Sequence, residues 1–506
     1  MGSSSNNKRI AKNAILLYLR TAIVLIISLI TTRLVLKALG AEDLGIYNVV
    51  GGIVALMSFF RSSLSKATSR FITYELGRSN NTTILRRIFS SAMTIHIIIA
   101  ALVIVLGETV GLLILKNWTV IPEARQQAAF CVYQCSLAVF CVQIITAPYE
   151  SVIIAHENMS VYAYMSILYA MMKLGIAFLM LSSSRDRLIL YGIAIVVVDL
   201  VILLFYYLYN KKKYPVFTFS LLWDINYSRR ILGFSGWTLL GSSTNAATQQ
   251  GVSLLFNNFV GLVANTALGF ANQVNGAVTQ FVNSFQTAFN PQIIKLYAQR
   301  DIIQLHLLMS RTSKFSFLLA YLFALPLIAN MGFVLKLWLG EVPQYTIEFC
   351  QLILVCSVID STTGVFNTSI TATGNIRSYQ IGISISFLLD LVTASLLLLL
   401  HLPAPLVFGS RILTRGLINM AIGLYFVRKQ LCFSIKSYFV SVISPILLTL
   451  VITIPLAFCT VRMCDGWLGL VCTCIMTLLC CGLITWLFYL NKSEKKTVLN
   501  YIKLSR

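Results

Sequence analysis

The chain has 506 residues, of which 58% are hydrophobic and 11% charged, with a formal net charge of +22. A soluble domain is usually about 45–50% apolar and about 25% charged, so this is a polytopic membrane protein, and catalysis on a large extramembrane domain is disfavoured. The twelve cysteines include no Cys-x-x-Cys pair and no Cys/His cluster at metal-ligand spacing, and they read as small buried hydrophobes.

Apolar runs of about 20 residues predict an all-α fold of about fourteen transmembrane helices. Their cores are 14–37, 45–71, 88–113, 127–149, 160–182, 188–209, 231–257, 263–290, 313–336, 348–372, 379–400, 403–427, 438–460 and 467–490. With the N-terminus in the cytoplasm, the inside segments collect Lys8, Arg9, Lys12, Arg78, Arg86, Arg87, the run Lys211 to Lys213, Arg428, Lys429, Lys492, Lys496, Lys503 and Arg506. The outside segments hold far fewer: Lys116, Arg125, Arg185, Arg187, Lys336 and Arg462. This positive-inside asymmetry accounts for most of the positive charge without nucleic acid, and places both termini in the cytoplasm.

Ionisable residues at membrane depth are costly, and each is a functional candidate. Span one carries Arg20, either paired with an acid on a neighbouring helix or lining a cavity. Span two is the sharpest case: Arg61, Lys66 and Arg70 share it with Ser58, Ser62, Ser65 and Ser69, whose spacing makes one helical stripe. Such a face either lines water or snorkels to the inner interface. Span three holds His96, read as an interior histidine. Span five carries Lys173 and span six Asp199.

Span seven adds Trp237, Asn245, Gln249 and Gln250. Span eight places Asn272, Gly276, Thr279, Asn283, Gln286 and Asn290 on one face, widened by Gln273, Asn275 and Gln280; these amides either line a cavity or bond between helices. Asp360 lies in Asp-Ser-Thr-Thr-Gly, expected as a polar break within span ten; Asp390 lies in span eleven, and Arg411 and Arg415 in span twelve. Lys173 with Asp199, and Asp390 with Arg411 or Arg415, are candidate counter-charges.

Two segments recur. Ala155, Asn158 and Tyr162 reappear as Ala372, Asn375 and Tyr379, each 217 residues later. Gly45, Asn48, Val50 and Gly52 reappear as Gly269, Asn272, Val274 and Gly276, each 224 later. Spans one to six and seven to twelve therefore form a duplicated array. Six is even, so both units enter the membrane from the same side and are expected to be related by an axis along its normal. The domains read as a six-helix lobe 1–209, a basic cytoplasmic linker 210–230, a second six-helix lobe 231–430, and two additional helices with a basic tail, 431–506.

The join Arg33-Leu-Val-Leu-Lys-Ala-Leu-Gly40-Ala-Glu-Asp-Leu-Gly45-Ile-Tyr-Asn, with the Asn-x-x-x-Tyr signatures after spans four and ten, resembles bacterial polysaccharide exporters. The likeness is to Wzx-type flippases of lipid-linked oligosaccharides, in the multidrug/oligosaccharidyl-lipid/polysaccharide (MOP) superfamily. It implies two helical lobes around a central cavity, and transfer of an undecaprenyl-diphosphate-linked glycan, such as an O-antigen unit, to the outer leaflet of the bacterial inner membrane. No covalent chemistry and no cofactor is implied. The implied partners are the lipid-linked glycan, the bilayer and polysaccharide-assembly proteins.

Under that resemblance Arg20, Arg61, Lys66, Arg70 and Lys173 are the expected diphosphate ligands, Arg as a fork and Lys as a point charge. Trp237, Asn245, Gln249, Asn272, Gln280, Asn283 and Gln286 are the expected sugar contacts, because amides both donate and accept. Asp360, Asp390 and Asp199 are the candidates for coupling to a proton or sodium gradient. A multidrug cation antiporter or lipid II flippase of the same superfamily is the alternative. A membrane polysaccharide polymerase is more remote, since it calls for a long outside loop that the chain lacks.

Overall fold

The computed structural model describes residues 2–55, 57–118, 121–182, 186–220, 224–489 and 495. Arg185, Lys492, Lys496, Lys503 and Arg506, which count toward the orientation above, lie outside the described residues. Among the described residues every regular element is helical. Ten helical segments of the described residues are long and apolar enough to cross a membrane. The four expected spans not among them are the second, seventh, eighth and twelfth, and these are also helical. Their apolar runs are interrupted by Arg61, Lys66 and Arg70, by the amides of spans seven and eight, and by Arg411 and Arg415.

The chain forms two compact units, Met1–Ser242 with Tyr297–Gln299, and Ser243–Leu296 with Arg300–Arg506. In the first unit, α1 (Gly2–Ala55) runs through the first join and bends at Gly40, whose φ of 77 and ψ of 173 favour glycine. No atom stands near the place of a Cβ there, so the requirement is conformational. The second expected span takes in the end of α1, which reaches Ala55, and most of α2 (Ser58–Arg78); Leu56 lies outside the described residues.

Asn81 caps α3 (Thr82–Leu106), its side chain accepting from the Thr83 and Ile84 amides. A π turn, Gly107–Gly111, leads into α4 (Leu112–Trp118). The Tyr133 hydroxyl donates to the Gly107 carbonyl at 2.7 Å, a contact that leaves no room for a side chain at Gly111. Next come α5 (Gln126–Ala155), α6 (Met159–Leu181) and α7 (Arg187–Lys213). α1 packs on α6, and α5 packs on both α2 and α7. Val132, Tyr133, Ile144 and Val152 of α5 are fully buried in the core of this unit, on more than one side of the helix.

The division between the units falls within α8 (Ile225–Phe259). The second unit continues with α9 (Leu262–Ala298), α10 (Ile302–Ala329), α11 (Met331–Leu339), α12 (Thr346–Thr373) and α13 (Arg377–Leu399). Then α14 (Ala404–Arg411) passes through a π turn, Ile412–Leu417, into α15 (Ile418–Leu431). The expected break at Asp360 is absent: α12 is continuous through it. The Ser and Thr hydroxyls there bond back to carbonyls of their own helix, as Ser361 does to Val358 at 2.6 Å and Thr362 to Ile359 at 2.7 Å, so polarity does not interrupt the helix.

Phe256, Phe349 and Phe408 form an aromatic core, with Phe349 stacked on Phe408 at 4.7 Å. The last helices among the described residues are α16 (Ile435–Tyr438), α17 (Ser444–Met463) and α18 (Gly466–Ile484), followed by a π turn, Thr485–Tyr489. α17 and α18 pack together and dock on α10 through Tyr321 to Thr453 at 2.7 Å and Asn330 to Thr473 at 3.2 Å.

Candidate functional site

Each unit contains its own network of charged groups. In the first unit the network crosses α2, α5, α7 and α6. The Arg61 guanidinium donates to Glu150 at 3.3 Å and to Gln143 at 3.5 Å. Gln143 donates in turn to Asp199 at 3.0 Å, and the Tyr169 hydroxyl donates to the other Asp199 oxygen at 3.3 Å. The Lys173 ammonium sits 4.7 Å above the Tyr169 ring and interacts electrostatically with Asp199, its expected counter-charge, without a direct salt bridge to it among the described residues.

Glu150, Gln143 and Tyr169 were not legible as site residues. Glu150 falls one residue past the expected end of span four, yet α5 continues through Val152 and Ile153 to Ala155. That apolar continuation was the available signal.

The three cations of α2 have separate surroundings. Arg61 belongs to the network. Lys66 is exposed beside Ser58 and Ser62, in a place the protein otherwise largely surrounds. Arg70 is buried, with its guanidinium over Phe71 at 4.7 Å, Tyr74 at 4.9 Å and Phe234 at 5.9 Å. Arg20 stacks 4.6 Å over Tyr162, the tyrosine of the repeated signature, while Asn158 of the same signature donates to the Tyr209 hydroxyl at 2.7 Å. The signature thus ties α6 to α1 and α7. His96 is fully buried, with Nδ1 2.8 Å from the Ala92 carbonyl. Trp237 is half-buried on α8.

In the second unit Asp390 is fully buried and pairs with Arg411 at 3.2 Å and Arg415 at 3.8 Å, while Thr414 donates to it at 3.1 Å. The π turn presents Thr414 and Arg415 to this carboxylate. Arg415 also bonds Asn245 on α8 and stacks over Phe387 at 4.6 Å. Asp360 is exposed on α12 and interacts electrostatically with both arginines.

The amide stripe of α9 divides in two. Asn272, Gln273, Gln280 and Asn283 are exposed. Gln286 instead donates to the Ser361 carbonyl at 3.2 Å and the Ser316 hydroxyl at 3.4 Å, in space left by Gly364. Asn275 accepts from Ser357, and Asn290 accepts from Thr368 at 2.9 Å. The exposed Gln249 donates to Asn245 at 3.5 Å. No group of three or more potential metal-binding side chains occurs among the described residues.

A third cluster joins three segments of the first unit. Arg125 grips Asp43 and donates to Asp186 at 2.6 Å. Asp186 also caps α7. Partial burial raises the Asp186 carboxyl, but hydrogen bonds from Arg125 and from the Ile189 and Leu188 amides outweigh it and hold the group below the usual carboxylate range.

Many solved structures share this arrangement of helices. A mutant of a MATE transporter matches with a TM-score of 0.74 at 12% identity, over 84% of this chain and 96% of that one. An outward-facing multidrug resistance MATE transporter of the MOP superfamily matches with 0.72 at 14% identity, over the same shares, 84% and 96%. The chain has the MATE fold. A MOP superfamily transporter from Pyrococcus furiosus, described as having a binding pocket of reverse polarity that suggests a different function, matches with 0.68 at 13% identity over 86% of this chain and 96% of that one. No family profile and no curated protein matches.

Proposed function

We propose that the protein is a membrane transporter of the MOP superfamily that flips an undecaprenyl-diphosphate-linked oligosaccharide to the outer leaflet of a bacterial inner membrane by alternating access. The MATE fold supports the transporter. The observation that carries the substrate is the exposed face of α2, where Lys66 stands with Ser58 and Ser62.

A lipid-facing helix does not tolerate such a face, because a charge at membrane depth costs several kcal/mol. A diphosphate head group supplies the missing anion. Lys66 acts as the accessible point charge and Arg61 as a fork that exchanges Glu150 for phosphate oxygens. The exposed amides Asn272, Gln280 and Asn283 offer donors and acceptors for sugar hydroxyls. Their hydrogen bonds replace those of water, which lowers the desolvation cost of the glycan.

Reconstituted protein tests this directly. Transfer of a fluorescent undecaprenyl-diphosphate oligosaccharide should exceed that of protein-free vesicles, and equality overturns the proposal.

One observation favours a second reading, a multidrug cation antiporter. Asp360 is an accessible carboxylate, the group an organic cation needs. Under the flippase reading Asp360 is instead the residue that couples transfer to protons or sodium.

A further inference from the structure

The hairpin between α17 and α18 brings two cysteines together. Cys464 follows the last residue of α17 in extended backbone, and Cys472 lies in the second turn of α18. Two backbone and side-chain contacts bracket them. The Thr460 and Thr473 hydroxyls are 3.1 Å apart. The Cys464 carbonyl lies so close to Gly469 that a Cβ there would stand 2.4 Å from it. Gly469 and Cys472 are one turn apart on the same side of α18. Both are free thiols in the structure, and Cys464 has Cys472 as its neighbour.

The distribution of lysine and arginine places this hairpin on the outer side of the membrane, where bacterial thiols meet an oxidising compartment. We propose that Cys464 and Cys472 form a disulfide that fastens the outer end of α17 to α18. Each thiol loses its proton as the S–S bond forms. The two electrons pass to an exchangeable disulfide, carried by a thiol oxidoreductase or an oxidised small thiol, which leaves as two thiols. The bridge holds α18 in the register at which Thr473 meets Asn330 of α10.

Contact alone does not assign a bridge. Cys131 and Cys135 also interact, but both stand on α5. Positions four apart on a rigid helix keep their Cβ atoms about 5–6 Å apart, whereas a disulfide needs about 3.5–4.5 Å. Cys464 lies beyond the end of its helix, so its backbone is free to make that approach. Two of the residues read above as buried hydrophobes therefore take a covalent role.

The proposal rests on the orientation and not on the transported substrate. Intact cells carrying the full chain are treated with a membrane-impermeant maleimide, with and without prior reduction, and the peptides are read by mass spectrometry. Neither Cys464 nor Cys472 should label before reduction and both should label after it. A non-reduced digest should contain the cross-linked peptide, and the total of free thiols under denaturation should be ten, twelve less two. Cys464→Ser should leave Cys472 open to label without reduction. Full labelling of both before reduction overturns the bridge. So does a Cys472 that stays unlabelled in Cys464→Ser, since protection would then not be a disulfide. Labelling that requires permeabilised cells overturns the bridge and the orientation together.

Discussion

The two charge networks occupy duplicated helices and are built on opposite principles. In the second unit the central group is a carboxylate: Asp390 is 0% exposed, held by Arg411 and Arg415 at 8% and 16%. In the first unit the central group is a cation: Arg61 is 37% exposed and shares Glu150 and Gln143. The equivalent of Asp390, 217 residues earlier, is Lys173. Charge has been inverted at a matched position while neutralisation within the unit has been kept. Tight pairing in one unit reads as scaffold. Looser pairing in the other leaves a guanidinium that can change partners, the property a site for a transient anion needs.

The largest effect separates these principles at Asp390. Asp390→Ala leaves the buried Arg411 guanidinium, and the partly buried Arg415 beside it, without their carboxylate, which costs about 3–5 kcal/mol. We expect a large fall in thermal midpoint in detergent, and part of it should return in Asp390→Ala with Arg411→Leu. An Asp390→Ala protein as stable as wild type would break the distinction.

Arg61 should behave in the opposite way. Arg61→Gln avoids setting two carboxylates together, as reversal beside Glu150 would. It should unfold near the wild-type temperature yet lose roughly ten- to hundredfold in flipping rate, the loss expected for one charge-assisted hydrogen bond. Lys66→Gln, at an exposed position, should lose rate with no change in unfolding.

The α9 amides repeat the contrast on a smaller scale. Gln286→Leu removes two interhelical hydrogen bonds and should cost about 1–2 kcal/mol of stability. Asn283→Ala, exposed three residues earlier, should leave the melting curve unchanged and raise the apparent KM for the glycan.

The smallest effect lies at the Asp186 cluster. A carboxyl whose folded pKa is depressed stabilises the fold fully above its unfolded value, near 3.9, and that contribution is lost as pH falls through the folded value. Wild type should therefore lose more stability than Asp186→Asn between about pH 5 and pH 2, by less than about 1 kcal/mol for so exposed a pair.

Helical class, span positions and the Asp390 to Arg411 pairing were legible, because hydrophobic runs and lone buried charges leave strong one-dimensional signals. Gly40 was read only as part of the first join; the sequence does not carry the non-helical φ that makes it a kink between two helical stretches. Asp360 was read as a break because polar residues cluster there, but Ser and Thr in a helix satisfy themselves on carbonyls three residues back. Gln286 and Asn283 share a stripe in sequence. Only the packing of α9 against α12 shows that one is consumed by a neighbour and the other is not. Glu150 escaped notice because a charge at a span's end is ordinary, and its partner Arg61 is 89 residues away.

The measurement closest to the central claim is the initial rate of undecaprenyl-diphosphate oligosaccharide transfer in proteoliposomes of wild type and Lys66→Gln, with organic-cation flux followed in parallel. The account predicts glycan transfer well above protein-free vesicles, a roughly tenfold loss in Lys66→Gln, and cation flux at background. Glycan transfer at background with cation flux above it would contradict the account.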